Sequence, residues 1–501
     1  MKKVVLLLLL NTGLLAQSNA RIFYLDSRKG NDSNDGKTER TAWKSLAKAN
    51  AAEFDAGDHL RLKRGSRFKG GLKLKLNGTA GQPIVIEVYG EGRAPVIDAK
   101  GYFAGVHLQN SHHVVVKDLE ITADGGKTMD GSKPSLRYGV LVQGKYGRSS
   151  HVTLENLTIY KIYPEVGAEH EGHNPTTYLG TAISIEGSRD KPCTDFLVQD
   201  CRIAQTGFKA INLKNIQQVQ VLNNRMKDIG GPAIQPGNVD DLVVRGNIVD
   251  GSGSSLDPRM HARGSGIWPW TSNRVLIEKN KFMHARGKGD SCGIHIDFNC
   301  RDVIVQYNLS IDNEGGFVEI LGNNHNCAYR YNISINDGFR EKGKNKAFQE
   351  GKILWTSGYV GSKKPRHGPY NSYIYNNTIH VGKNSRSCFS FGPSTEGLLV
   401  ANNIFHIMGK TVDVLGDQNS RQNKNAGEAV RVRVENNIYF HGSILPASLP
   451  FKDSSMIVGD PRFKKAGGLE AKHYVPGNVA LVQDKGIAIP RLDGDEIGLR
   501  I

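Results

Sequence analysis

A polar residue that recurs at the end of short strand-like segments constrains this chain more than any other feature. Asp118, Asn156, Cys201, Asn224, Asn247, Asn280, Asn308, Asn332, Asn377, Asn403 and Asn437 close successive segments of one pattern. Uninterrupted steps run from 23 residues (Asn224 to Asn247) to 28 (Asn280 to Asn308). A period in the twenties, with strands and no helices between, is the mark of a β-solenoid. Each unit leaves an apolar side bare until the next unit covers it. The asparagines have a mechanical reason to recur. At an inward turn, a side-chain amide can bond the turns above and below and satisfy backbone groups that the bend leaves open. The expectation is an all-β chain with Asn224, Asn247, Asn280, Asn308 and Asn332 in one internal row.

A second ladder carries the chemistry. Ala182-Ile183-Ser184-Ile185-Glu186, Ala210-Ile211-Asn212-Leu213-Lys214, Ala233-Ile234-Gln235-Pro236, Gly266-Ile267-Trp268-Pro269-Trp270 and Gly293-Ile294-His295-Ile296-Asp297 alternate inward aliphatics with variable outward groups. Alternate side chains of a strand face opposite ways, and stacked strands lie about 4.8 Å apart. Ser184, Asn212, Gln235, Trp268, His295 and Glu319 should therefore share one outward row. Glu186, Lys214, Trp270 and Asp297 should share the next. His295, Asp297 and Glu319 are expected to face solvent together, with the Glu319 carboxylate close enough to raise the His295 pKa. Insertions at Tyr160 to Thr181, Gly251 to Ser265, Gly338 to Gly351 and Ser357 to Ser372 interrupt the period. They should wall in this face, where functional residues concentrate. The first contains Glu169-His170-Glu171-Gly172-His173, a weak metal-binding pattern.

A solenoid grows along one axis without dividing, so 501 residues need not mean several domains. Residues 1–20 read as a signal peptide: Met1-Lys2-Lys3, an apolar run from Val4 to Leu10, and a small residue, Ala20, at the cleavage point. That places the protein outside the cytoplasm, secreted or periplasmic, and the run is too short to span a bilayer. Residues 21–100 read as an N-terminal cap and first coils, 101–455 as the β-helix, and 456–501 as a C-terminal cap. Within the first cap, Thr41 to Ala51 has helical spacing, and the turn with Asp32, Asn34 and Asp35 could hold Ca²⁺. The formal net charge of +16 calls for an anionic partner. Scattered Lys and Arg without interleaved aromatics argue against nucleic acid. Six cysteines fit no metal spacing, although Cys300 and Cys327 hold similar places in successive repeats and could stack or pair.

The opening Tyr24-Leu25-Asp26, Gly30-Asn31-Asp32 and Trp43-Lys44-Ser45-Leu46, the Asn-ended coils and the closing Gly459-Asp460-Pro461-Arg462-Phe463 resemble secreted bacterial right-handed parallel β-helix proteins. That superfamily contains pectate lyase-like polysaccharide lyases and glycoside hydrolases. The resemblance implies a single-stranded right-handed parallel β-helix with an N-terminal helical cap and a C-terminal cap. Gly316-Phe317-Val318-Glu319-Ile320-Leu321 with Tyr329-Arg330-Tyr331-Asn332 looks like the glutamate-bearing coil of β-helical alginate and chondroitin lyases. There paired glutamates hold Ca²⁺, so Ca²⁺ is the cofactor this likeness implies. Here only Glu319 matches, and Leu321 stands at the second glutamate position.

The expected activity is cleavage of an acidic polysaccharide by β-elimination, by a protein acting as a monomer. His295 would be the base, oriented by Glu319, with Asp297 and Lys352 completing the catalytic set. Lys214, Arg366 and His367 would neutralise the uronate, and Gln235, His325 and a Trp268–Trp270 platform would bind sugar. Two alternatives stay open. One is a glycoside hydrolase with Asp297 and Glu319 as its carboxylate pair; the other is a glycan-binding protein without catalysis.

Overall fold

The computed structural model describes residues 20–131, 136–144, 147–165, 179–414, 429–440, 445–446, 449 and 451–489. The inward row Ile183, Ile211, Ile234, Ile267 and Ile294 runs in register from coil to coil, every member buried. Each buried aliphatic contributes about 1.5–3 kcal/mol relative to exposure, so the stack itself is the core. All strand pairings between named strands are parallel, as in Gly316–Ile320 with Lys352–Thr356. They form sheets of 18, 14 and 4 strands among the described residues. The largest sheet spans two faces because Ile211–Leu222 and Ile234–Arg245 run through a corner as single strands. The all-β parallel β-helix expected from the repeat is the architecture found.

The asparagine row is continuous. Asn224 Oδ1 accepts the Cys201 N–H (2.9 Å), Asn247 Oδ1 the Asn224 N–H (2.9 Å), and the pattern repeats through Asn280, Asn308, Asn332, Asn377, Asn403 and Asn437. Asp453 ends it, its Oδ2 accepting the Asn437 N–H at 3.0 Å. Asp118 and Asn156 do not belong to this row. They sit one position earlier, at left-handed φ of 64° and 50°, a conformation that Asn and Asp tolerate. The internal place in those coils is taken by buried Leu119 and Leu157.

The N-terminal cap contains a helix shorter than its spacing suggested, Leu46–Asn50, with the Ser45 hydroxyl accepting the Lys48 N–H. Trp43 lies outside it, stacked on Phe23 (centroids 4.9 Å). Asp32 closes the acidic turn by accepting from the Lys44 and Ser45 backbone N–H groups and the Ser45 hydroxyl. All six cysteines are free and buried, so Cys300 and Cys327 do not pair. No helix among the described residues is long and apolar enough to cross a membrane.

Candidate active site

The coils that carry the candidate site are where the strand pattern loosens. Gly266 to Trp270 and Gly293 to Asp297 are extended but joined to their neighbours by isolated bridges, Ile234 to Ile267, Ile267 to Ile294 and Ile296 to Ile320. Pro269 is the local cause. The Ile267 N–H reaches forward to Gly293 O (3.2 Å), and a proline two residues on has no N–H to repeat that bond. Register nevertheless holds, and Ser184, Asn212, Gln235, Trp268, His295 and Glu319 form the expected outward row, which continues to Trp355 and Ser390. Trp270 lies beside Gly237, where an added Cβ would stand 2.5 Å from its ring.

Outward does not mean exposed. His295, Asp297 and Glu319 are only 1%, 7% and 0% accessible, contrary to the solvent-facing arrangement expected. The insertions cover them. Arg263, from the Gly251–Ser265 insertion, pairs with the Asp290 carboxylate, which reaches the cluster from the turn before the His295 segment. Arg340, from the next insertion, donates to Asp290 O (2.9 Å) and Gln349 O (2.8 Å). Gln349 Oε1 accepts the Asp290 N–H at 2.6 Å. Trp268 stacks on His295 (centroids 4.8 Å, planes 16° apart) and its Nε1–H donates to Asp297 Oδ2 at 2.7 Å. His295 Nε2 is 3.3 Å from Glu319 Oε1 and 4.0 Å from Asp297 Oδ1, without hydrogen-bond alignment to either. The Cys292 thiol donates to Glu319 Oε2 at 2.9 Å.

These surroundings separate the acids. Burial pushes Asp297 up to about 7, against the Trp268 hydrogen bond and the Phe298 N–H. Burial also raises Glu319 far above the carboxylate range, with the Asp290 charge adding to it. Asp290 is buried too, but the charge and hydrogen bond of Arg263, with His295 and then Arg340 adding to them, bring it below its ordinary value. His295 falls to about 4 because burial disfavours the imidazolium, the reverse of the expected rise. Near neutral pH the cluster thus holds one ionised carboxylate, one acid at its titration point, a protonated glutamate and a neutral imidazole. Asp290, His295 and Glu319 could each turn a ligand atom to a metal, all within 4.8 Å of one another. With the Arg263 guanidinium already on Asp290 and Arg340 behind it, the arrangement suits proton transfer better than a dication.

Residues 86–360 match the family described as right handed beta helix region, more than half of the chain. The chain belongs to that family. It is 25% identical over 546 aligned residues to a lacto-N-biosidase of Bifidobacterium longum subsp. longum. That alignment covers 88% of this chain and 32% of the relative, so the chain spans about a third of the relative's length. Two crystal structures of a GH136 lacto-N-biosidase from Eubacterium ramulus share the fold. The native protein has a TM-score of 0.56 at 19% identity, covering 88% of this chain and 68% of that one. The selenomethionine derivative has 0.54 at 22%, covering 79% and 67%.

Within this right-handed β-helix the remaining expected site residues scatter. Buried Lys352 follows Gly316 in register, its Nζ donating to Glu350 O (3.1 Å) and lying over the Trp355 ring (3.9 Å). His325 belongs to the next face, in the row Arg301, His325, Tyr370, and stacks on Tyr370 (4.7 Å). His367 Nδ1 sits 3.3 Å from the Tyr370 hydroxyl. Half-buried Arg366 lies over Tyr359 (5.6 Å), which meets Phe298 edge-on beside Asp297. Trp268 and Trp270 are half-buried, and Gln235 and Lys214 continue their rows toward the N-terminal end. Residues Glu169 to His173 fall outside those described. Asp290, Arg263 and Arg340 escaped the strand-based reading because they sit on turns and insertions. Asp290 was within reach of it, as the acidic residue of the turn that leads into Gly293.

Proposed function

We propose that this protein is an exported glycoside hydrolase in which Asp297 is the proton donor and Asp290 the ionised carboxylate. The observation that carries this reading is the separation of the two aspartates. Asp297 is buried with only the Trp268 indole and the Phe298 N–H as hydrogen-bond partners among the described residues, which leaves its pKa pushed up to about 7. Buried Asp290 is instead paired with the Arg263 guanidinium and drawn below its ordinary value. Paired acids with opposed environments are what glycosidic cleavage needs. Asp297 gives its proton to the glycosidic oxygen as the bond to C1 breaks, and Asp290 offsets the positive charge that develops on the sugar. Water then supplies a hydroxyl to C1 and returns a proton to Asp297. Neutral His295 and Glu319 help by adding no charge, since an imidazolium 4.0 Å away would drive Asp297 to ionise early. The lacto-N-biosidase relative, by name a glycosidase, supports the same reading.

β-Elimination, favoured by the net charge, finds less support in the geometry. Its base would be His295, whose pKa of about 4 makes it a weak one. Lys352, which was to assist, is turned onto Trp355 and the Glu350 carbonyl. The Asp297–Glu319 pairing gives way to Asp297–Asp290, because Glu319 is fully buried and holds its proton. On a glycan that the parent cleaves, Asp297→Asn and Asp290→Asn should each lose 10²–10⁴-fold in kcat. Near-parental turnover by both variants would refute the assignment.

A further inference from the structure

Toward the N-terminal end of the same face, a chain of polar side chains crosses four coils. His107 Nε2 and Gln143 Oε1 are 3.0 Å apart, Gln143 Nε2 donates to Glu186 Oε2 (3.3 Å), and the Ser184 hydroxyl to Glu186 Oε1 (2.7 Å). Asn212 Nδ2 donates to Ser184 Oγ (2.9 Å), and Lys209 Nζ ends the chain on Asn212 Oδ1 (2.8 Å). Ser184 and Asn212 stand in the row that reaches His295 through Gln235 and Trp268. Three coil steps separate Asn212 from His295, about 14 Å at sheet spacing, which is the reach of a short oligosaccharide.

The charges at this end are arranged unlike a structural ion pair. Glu186 is engaged by Ser184 and Gln143, while Lys209 rests on a neutral amide and the Phe208 ring (5.0 Å). Lys214 extends the positive charge along the neighbouring row and is exposed. Glu186 is the register neighbour of Lys214 and acts on Lys209 through space, but among the described residues it makes no direct ion pair with either lysine. Burial brings Lys209 down to about 8, against the attraction of Glu186 and with a smaller push from the like charge of Lys214. A half-buried ammonium whose hydrogen bond goes to a neutral amide, with its nearest carboxylate engaged elsewhere, gains from an anionic oxygen delivered by a ligand.

We infer that Lys209, supported by Asn212 and Lys214, forms a subsite for an anionic group on a sugar a few units from the bond cleaved at Asp297. This rests on the hydrolase reading and adds its substrate class: glycans bearing a carboxylate or a sulfate ester. The test uses matched oligosaccharides with one cleavable linkage, neutral, uronate-bearing or sulfated, with kcat/KM measured for each. The parent should prefer one charged form over the neutral by roughly ten- to hundredfold, the range of a charge-assisted hydrogen bond, and the favoured form identifies the anion. Lys209→Met should erase the preference through KM. Lys214→Gln, on an exposed side chain, should reduce it and serves if Lys209→Met does not fold. Cleavage of all three at equal efficiency, or a preference that survives both substitutions, overturns the subsite and leaves the hydrolase intact. If none is cleaved, titration of the uronate-bearing and sulfated forms into Asp297→Asn decides the subsite separately. Tight binding lost in Lys209→Met supports it, and no charge-selective binding overturns it.

Discussion

Asp297 owes its proton to burial, and Trp268 limits how strongly it is held. The indole N–H at 2.7 Å stabilises the carboxylate form. Trp268→Phe, which keeps a ring over His295 but loses the donor, should raise the Asp297 pKa. The alkaline limb of the kcat profile would then move above its expected position near pH 7; a limb that stays or moves down would contradict the role given to Trp268. The same burial has a stability sign. The folded pKa of Asp297 is raised, so its contribution is fully present below 3.8 and is lost as pH rises through about 7. Asp297→Asn, which never ionises, should therefore gain stability over the parent above pH 7, on the order of a few kcal/mol, measured by denaturant unfolding at two pH values. At this scale strand alternation was enough to place His295, Asp297 and Glu319 on one side. It carried no information about what lies over them, and that cover reversed the expected direction of the His295 pKa shift.

The coil is the element that the sequence exposes most openly. Asn308 accepts the Asn280 N–H and side-chain amide and donates to Ile277 O, Gln306 O and Asn332 Oδ1, all at about 3 Å or less. Asn308→Ala strands several buried backbone groups, each worth about 1–3 kcal/mol when unsatisfied. It should cost at least 2 kcal/mol in chemical unfolding, whereas loss within a few tenths would show that the row is ornamental. Phase was harder to read than period. Asp118 and Asn156 resemble the row because the preceding left-handed position also favours Asn and Asp, and only the leucines after them reveal the slip. Pro269 shows the opposite case. A residue that weakens the ladder marks the coil where the site is built, and Gly237 beside it makes room for the Trp270 ring.

At the scale of the whole molecule, the β-helix supplies a straight rack of outward positions and the insertions decide which become a site. Arg263 and Arg340 arrive from separate insertions and meet at Asp290, which is why no single stretch of sequence displays the whole cluster. The insertions were legible as interruptions of the period, but their folded paths depend on tertiary contacts that periodicity does not encode. The net charge of +16 speaks to the company the protein keeps and not to the bond it breaks. Hydrolysis and elimination differ in where the new oxygen comes from, and this is the most direct test of the account. Cleavage in heavy-oxygen water should place one labelled oxygen on each new reducing end, with no ultraviolet absorbance from an unsaturated sugar. Unlabelled reducing ends together with that absorbance would show elimination and contradict the assignment of Asp297 and Asp290.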